Sequence, residues 1–391
     1  MTTREVPFSD LLSFVVDNRG RTCPTAEEGI KLIATNCISD EALYPRYEKV
    51  RYVSQETYDG WFRAHPEPGD LIFVCKGSPG RVALTPDPVD FCIAQDMVAV
   101  RPDSSKIHPL YLFAALRSSE IRNRIENLHV GTMIPHFKKG DFRKLMIPVP
   151  GRGVQEGIGE IYYEISRKIA VNERIAATAD ELMRAHYVKL AEASEEMIQV
   201  GDLGDLVRRT VPVTSLTAGE NYIGLEHMPR RNMWLSTWGS SGELASAKSA
   251  FQVNDILFGK LRPYFHKVGL ALTSGVCSTD ILVVRAKAPE FLGWLLLSLS
   301  SDEVVSHASS VGDGTRMPRI KWKDLGSFDV PWPGKENASQ LTDLVVPLAE
   351  RIQTAVVESR TLATLRDTLL PQLMSGRLRV KDAEKIVEDH V

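Results

Sequence analysis

Apolar positions along this chain follow two rules. Through 154–190 and 335–373 they recur at alternating spacings of three and four, which marks one face of a helix. In the second stretch the stripe is Val345, Leu348, Ile352, Ala355, Ser359, Leu362, Arg366, Leu369 and Leu373. Moved back 183 positions it becomes Tyr162, Ile165, Ile169, Asn172, Ala176, Ala179, Met183, His186 and Leu190. Both are seams of the a/d type, built mostly from apolar or small residues. A lone stripe of this kind reads as an ordinary core helix. Two in register, each of about 35 residues and ~50 Å, exceed one domain and predict an antiparallel coiled coil. Asn172 and His186 then sit in the seam as register-setting or exposed polar positions.

Ahead of each helical stretch the pattern changes to short β-rich runs punctuated by glycine and proline. The runs are 70–75, 81–85 and 97–101, then 255–258, 269–273 and 281–285. An apolar helical stretch follows in each half, 109–128 and 289–307, and then a Gly-Thr loop, a basic segment and a Pro-x-Pro stop. The halves are copies. Gly131-Thr132-Met133-Ile134-Pro135-His136-Phe137 recurs 183 positions later as Gly314-Thr315-Arg316-Met317-Pro318-Arg319-Ile320, and Ile147-Pro148-Val149-Pro150 recurs as Val330-Pro331-Trp332-Pro333. Gly69-Asp70-Leu71-Ile72-Phe73 pairs with Asn254-Asp255-Ile256-Leu257-Phe258, with offsets drifting up to 185 where loops differ in length. The predicted fold is α+β: tandem β-rich modules at 1–151 and 197–334, long helices at 152–196 and 335–380, and a charged tail at 381–391.

The 391 residues suffice for two sizeable cores, and 43% hydrophobic with 25% charged residues is an ordinary globular balance. No run reaches ~18 uninterrupted apolar residues, and the first ten positions hold Arg4, Glu5 and Asp10, so a cytoplasmic protein is expected. Five cysteines at irregular spacing (Cys23, Cys37, Cys75, Cys92, Cys277) make neither a disulfide framework nor a zinc site, and are expected to be reduced. The usual catalytic patterns are missing. There is no phosphate-binding G-x-x-x-x-G-K-[ST], no H-E-x-x-H, no G-x-S-x-G and no Asn-Pro-Pro-Tyr. Asp96 and Asp280 recur between the copies, at strand starts where a turn-capping carboxylate is the commoner explanation.

A net charge of -3 argues against a nucleic-acid partner until its distribution is considered. Basic residues cluster at equivalent places in both copies. The first copy carries Arg19, Arg21, Lys76, Ser78 and Arg81 in its front loops, then Thr132, His136, Lys138 and Lys139. The second carries Arg208, Arg209, Lys260, Arg262 and Tyr264, then Thr315, Arg316, Arg319 and Lys321 with Trp322 interleaved. Lys and Arg beside Gly, Ser and Thr suit phosphate contact, and Arg on variable loops can read base edges. Each cluster also reads as a solvated charged face.

Tyr222-Ile223-Gly224-Leu225-Glu226-His227, Asn254 through Pro263, the paired Gly-Thr loops and Thr368-Leu369-Leu370-Pro371-Gln372-Leu373-Met374-Ser375-Gly376-Arg377-Leu378 carry a resemblance. In this order, and duplicated, they resemble the DNA-specificity subunits of type I restriction-modification enzymes. The resemblance implies two target recognition domains, each reading half of a split sequence in double-stranded DNA, with a helical spacer between them. It also implies docking of two methyltransferase subunits on the helices, for which Tyr162, Ile165, Ile169, Leu348, Ile352 and Leu362 are the candidates. Restriction subunits join that assembly, and S-adenosylmethionine, ATP and Mg belong to the partners; the chain itself is expected to need no cofactor and to be non-catalytic. Residue-level transfer is weakest in the first copy, which reads Val74-Cys75-Lys76-Gly77 against Gly259-Lys260-Leu261-Arg262. Two other readings stand beside this one: a protein-protein scaffold, which the net charge fits and the duplicated basic loops do not, and a nuclease acting alone, for which no carboxylate cluster is found.

Overall fold

The computed structural model describes the chain apart from residues 1–2, 21, 48, 129–135, 218, 313–316 and 389–391. It divides into two compact units, Met1–Val171 with Ser359–Val391, and Asn172–Glu358. Each unit takes one β-rich module and part of each long helix.

In the first unit an antiparallel four-stranded sheet runs in the order Leu12–Val16, Met97–Pro102, Leu71–Val74, Val82–Leu84. Leu71–Val74 is buried at every position, which explains an unbroken apolar run where a half-exposed strand would alternate. A three-stranded sheet joins Arg51–Val53, Ile30–Ile33 and Phe91–Ile93, the last two parallel, and Arg4–Pro7 pairs with Met146–Val149. The second unit repeats this plan. Its four-stranded sheet runs Gly204–Leu206, Ile281–Ala286, Ile256–Gly259, Val268–Leu270; Asn221–Ile223 lies parallel to Gly275–Cys277 in a five-stranded sheet; Glu196–Gln199 pairs with Asp329–Trp332.

The repeat extends to single contacts. Asp70 and Asp255 are each 1% exposed. A carboxylate that deep is costly unless its oxygens are satisfied. Arg101 grips Asp70 through two bonds of 2.8 and 3.0 Å, and Arg285 grips Asp255 at 2.7 and 2.9 Å. The backbone N–H of Glu67 or Gln252 donates to the same carboxylate. Likewise the Tyr111 hydroxyl donates to the Pro148 carbonyl at 2.6 Å, and the indole of Trp294 donates to the Pro331 carbonyl at 2.9 Å.

The helical stretch in each module breaks in two, into Pro109–Arg117 and Ser119–Leu128 in the first, and Leu292–Leu299 and Asp302–Ser310 in the second. Serine makes both breaks: Ser118 Oγ accepts from the Ile121 N–H and Ser301 Oγ from the Val304 N–H, each starting a new helix.

The long helices span Arg152–Glu192 and Lys335–Met374. In the first unit Ile161, Tyr162 and Ile165 close on Arg366, Leu369, Leu370 and Leu373. In the second unit Ala179, Met183 and Tyr187 share a core with Leu341, Val345, Ala349 and Ile352. Asn172 is buried, donating to Glu358 at 2.7 Å and to the Ala355 carbonyl, which fits a register-setting position. The pairing is antiparallel. His186, by contrast, is exposed and Tyr187 occupies the seam. A straight helix at 3.6 residues per turn drifts off a strict seven-residue repeat, and here the seam steps by four after Met183.

Residues expected as a charged tail are instead a helix, Val380–Glu388. Ala383 is fully buried, and Val380, Ile386 and Val387 pack on the core of the first unit. Its charged residues hid an apolar stripe at helical spacing.

Each module helix meets its long helix at a distance that leaves no room for a side chain. A Cβ on Gly159 would lie 2.6 Å from the Tyr111 backbone nitrogen and 2.8 Å from the Leu110 carbonyl carbon. In the second unit Gly293 stands where Leu110 stands in the first, and its Cβ would lie 2.9 Å from the Cα of Thr342, the counterpart of Gly159. The same crossing thus carries its glycine on opposite helices. Gly293→Leu is expected to destabilise the second unit by about 3 kcal/mol, the upper range for overpacking against backbone. Adding Thr342→Gly, which reproduces the Leu110–Gly159 arrangement, should restore more than half of that loss in thermal or urea melts. A double variant no more stable than the single one would show that the two crossings are not equivalent.

Candidate nucleic-acid interface

In the first module the turn after Leu71–Val74 is stitched to two other segments. Backbone N–H groups of Cys75 and Lys76 donate to the Asp96 carbonyl, and the Phe137 N–H donates to the Cys75 carbonyl at 2.8 Å. Lys76 and His136 form an isolated antiparallel bridge. The second module makes the same stitch. Lys260 N–H donates to the Asp280 carbonyl at 3.0 Å, Ile320 N–H to the Lys260 carbonyl at 3.1 Å, and Leu261 bridges Arg319. Residues far apart in sequence thereby become one basic edge in each module.

Lys76, His136, Lys138, Lys139 and Arg19 gather at the first edge, the last pinned by its neighbour Asn18, whose buried amide donates to the Ala64 and Ile93 carbonyls. Arg19 is itself bonded twice to Asp17, at 2.8 and 2.9 Å, which lowers the Asp17 pKa. Lys76 lies 3.7 Å from Asp96. Partial burial, and then the cations Arg19, Lys138 and Lys76, hold His136 below the ordinary imidazole value, Asp96 opposing them.

At the second edge Lys260, Arg319 and Lys321, with Leu282, Met317, Ile320 and Trp322, line an open cleft of about 570 Å³. Arg262 donates its backbone N–H to the Pro318 carbonyl. Arg319 is held 3.2 Å from Asp280. Asp96 and Asp280, read from the sequence as turn caps, thus do two things: their carbonyls close the stitch and their carboxylates pair with the basic side chains beside it.

Other expected contacts fall elsewhere. Arg81 is half-buried, with its guanidinium donating to the Ile38 carbonyl at 2.8 Å, a packing role inside the module. Ser78 is exposed on the turn. Arg208 and Arg209 are exposed after Gly204–Leu206, where the Arg209 carbonyl accepts from Ala250. Arg21, Thr132, Thr315 and Arg316, and with them most of both Gly-Thr loops, lie outside the described residues.

The candidate docking residues on the helices are buried or half-buried within the chain. Tyr162, Ile165, Ile169, Ile352 and Leu362 are at most 8% exposed, and Leu348 is half-buried against its unit's core. These side chains are consumed by the chain's own packing. Among the described residues, the large apolar side chains that reach solvent on the long helices are Val171, Leu182, Val188 and Val357, off the seam, and no periodicity argument singles them out.

All five cysteines are buried and outside any disulfide, with burial pushing Cys75, Cys92 and Cys277 up to about 12. Among the described residues no group of three or more His, Cys, Asp or Glu is placed to hold a metal, and no helix is long and apolar enough to cross a membrane.

Residues 32–180 match the family described as "Type I restriction modification DNA specificity domain". Over that stretch the chain is similar to type I DNA specificity domains. Among curated relatives, it is 36% identical over 92 residues to the EcoDI specificity subunit of Escherichia coli, a stretch covering 23% of this chain and 20% of that protein. It is 29% identical over 130 residues to the HindI specificity subunit of Haemophilus influenzae, covering 32% and 28%. The MjaIX specificity subunit of Methanocaldococcus jannaschii aligns over 353 residues at 20% identity, covering 80% of this chain and 78% of that one. In fold the chain is similar to the S subunit of a type I restriction-modification system from M. genitalium, with a TM-score of 0.59 and 15% identity over 95% of this chain and 96% of the other. The specificity-domain match takes in Lys76, His136, Lys138 and Lys139 of the first basic edge, but not Arg19, and runs into the long helix that follows it.

The His136 environment generates a pH prediction. A polyanion held at the first edge offsets the surrounding cations and raises the His136 pKa, so binding takes up a proton and tightens as pH falls from 8 towards 6. The gain is at most about tenfold per pH unit. Fluorescence anisotropy with a duplex oligonucleotide at fixed salt measures it, and His136→Asn should flatten the slope; an equally steep slope in the variant would place the proton elsewhere.

Proposed function

We propose that this chain is the DNA-recognition subunit of a type I restriction-modification complex, each module reading one half of a bipartite, asymmetric target. The observation that carries the reading is the duplicated basic edge: one backbone stitch, made twice, presenting different side chains. Identical stitching gives both modules the same way of meeting a phosphate backbone, which positions the protein without reading sequence. Different side chains on the turns, Gly77-Ser78-Pro79-Gly80 against Arg262-Pro263-Tyr264-Phe265-His266, give different base contacts and so different half-sites.

In this reading the long helices fix the unread gap between half-sites, and their solvent-facing apolar side chains dock two methyltransferase subunits. Those partners bring S-adenosylmethionine and the adenine chemistry, restriction subunits bring ATP-driven cleavage with Mg, and this chain contributes recognition without catalysis, in the cytoplasm where its DNA lies. A net charge of -3 is compatible with DNA binding because the basic side chains are concentrated on the two edges.

The test is a gel shift of the chain with its methyltransferase partner across a salt series, together with sequencing of modified adenines in cells with and without the gene. Affinity should fall by on the order of 10³ between about 50 and 200 mM salt, as expected when at least six phosphates are contacted. The modified motif should be split and non-palindromic. A continuous or palindromic motif sinks the two-module reading. Deleting matched heptads from both long helices should shorten the gap and leave the half-sites unchanged; an unaltered gap would refute the ruler role.

A further inference from the structure

The basic turns of the two modules share a backbone stitch, but the second is one residue longer and presents a different surface. Aligned through the stitch, Gly77 of the first turn corresponds to Arg262 of the second, and Gly80 to His266. All four have positive φ: 86° and 92° at the glycines, 51° at Arg262 and 52° at His266. Glycine enters this region freely, whereas side-chain-bearing residues do so at a cost and mainly where surrounding structure holds them. The second turn is held. Its Arg262 N–H donates to the Pro318 carbonyl at 2.8 Å, Phe265 lies under the Arg230 guanidinium at 4.2 Å, and buried His266 meets the Ser300 carbonyl through Nε2 at 2.9 Å.

The product of this strained, anchored turn is one side chain pushed outward. Tyr264, at its apex, is 51% exposed and rests on Phe265 with ring centroids 4.8 Å apart. The first module shows that a turn at this place can be made with glycines at both positive-φ positions. Neighbouring Lys260 and Arg319 bring anions to this edge, and a ring held among them has an apolar face for a thymine methyl and a hydroxyl that donates to a base acceptor.

We propose that Tyr264 is a base-contacting, specificity-determining residue of the second module, giving it a contact that the first module lacks. The proposal rests on the DNA-reading role above. For the wild-type complex, the modified motif is read by sequencing, and binding is then measured to duplexes carrying that motif and each single-base change in both half-sites. Tyr264→Ala should lower discrimination at one position of one half-site by about 10- to 100-fold. The other half-site, the salt dependence and the melting temperature should stay as in wild type, whereas a merely structural role would move the melting temperature and weaken all positions together. Tyr264→Gln, polar and of similar reach, is the second variant should alanine not fold. Unchanged discrimination at every position in either folded variant overturns the proposal and leaves the wild-type motif standing. A wild-type complex with no sequence preference overturns the DNA-reading role itself.

Discussion

The architecture depends on a crossing of two helices so close that one of them must lack a side chain. At Gly159 and at Gly293 a Cβ would fall under 3 Å from backbone of the opposite helix, a separation that only backbone displacement could relieve. Such a contact does not slide, because interiors packed at this density have no spare volume for a shifted register. The neighbouring positions exploit it. Tyr111 and Trp294 each reach a proline carbonyl on the strand that leads into the long helix, and Thr342 accepts the Gly293 N–H while donating to the Glu290 carbonyl. Orientation of each module on its own helix segment is therefore set by backbone contact and locked by side-chain hydrogen bonds. That the glycine changes helix between the copies shows that the geometry is what the repeat preserves.

Charge is organised by the same economy. Asp70 and Asp255 are buried and fully engaged, and they hold the central sheets. Asp17, Asp96 and Asp280 are near the surface and pair with the basic edges. Exposed ion pairs contribute little to folding, so the consequence of the second group lies in restricting long side chains. Arg19 and Arg319 are held close to one geometry before any ligand arrives, which reduces the ordering cost of binding. A phosphate must then compete with a carboxylate for each guanidinium, making these contacts sensitive to salt and to placement.

Much of this was legible in the sequence. Self-similarity at 183 to 185 positions found the modules, and spacing of three and four found the long helices nearly to their ends. What escaped has identifiable causes. Tyr187 replaced His186 because a written seven-residue repeat and a real helix drift apart. The helix at Val380–Glu388 was obscured by its charged face. Arg81 was grouped with the basic edge because composition does not reveal direction, and its guanidinium turns to the Ile38 carbonyl. Tyr162, Ile165 and Ile169 were assigned to a partner although the periodicity that exposed them is the signature of burial in the chain's own seam. Asp96 and Asp280 were visible as repeated residues, but pairing with Lys76 and Arg319 needs the stitch, which joins segments tens of residues apart.

On the proposed DNA-reading role, the turns let one frame serve two recognition surfaces. What the two turns have in common is backbone: the Asp96 and Asp280 carbonyls, the bridges to His136 and Arg319, and positive φ at both ends. None of these contacts specifies the apex side chain, and the apex packs against no core. Glycine ends leave an unadorned turn; Arg262 and His266 accept strain, offset by the contacts of Phe265 and His266, and place Tyr264 outward. Substitution at the apex therefore changes what the edge presents while the sheets, the crossing and the helices stay as they are. A frame so uncoupled from its apex side chains allows the two copies to diverge in what they present without either losing its seat on the helix.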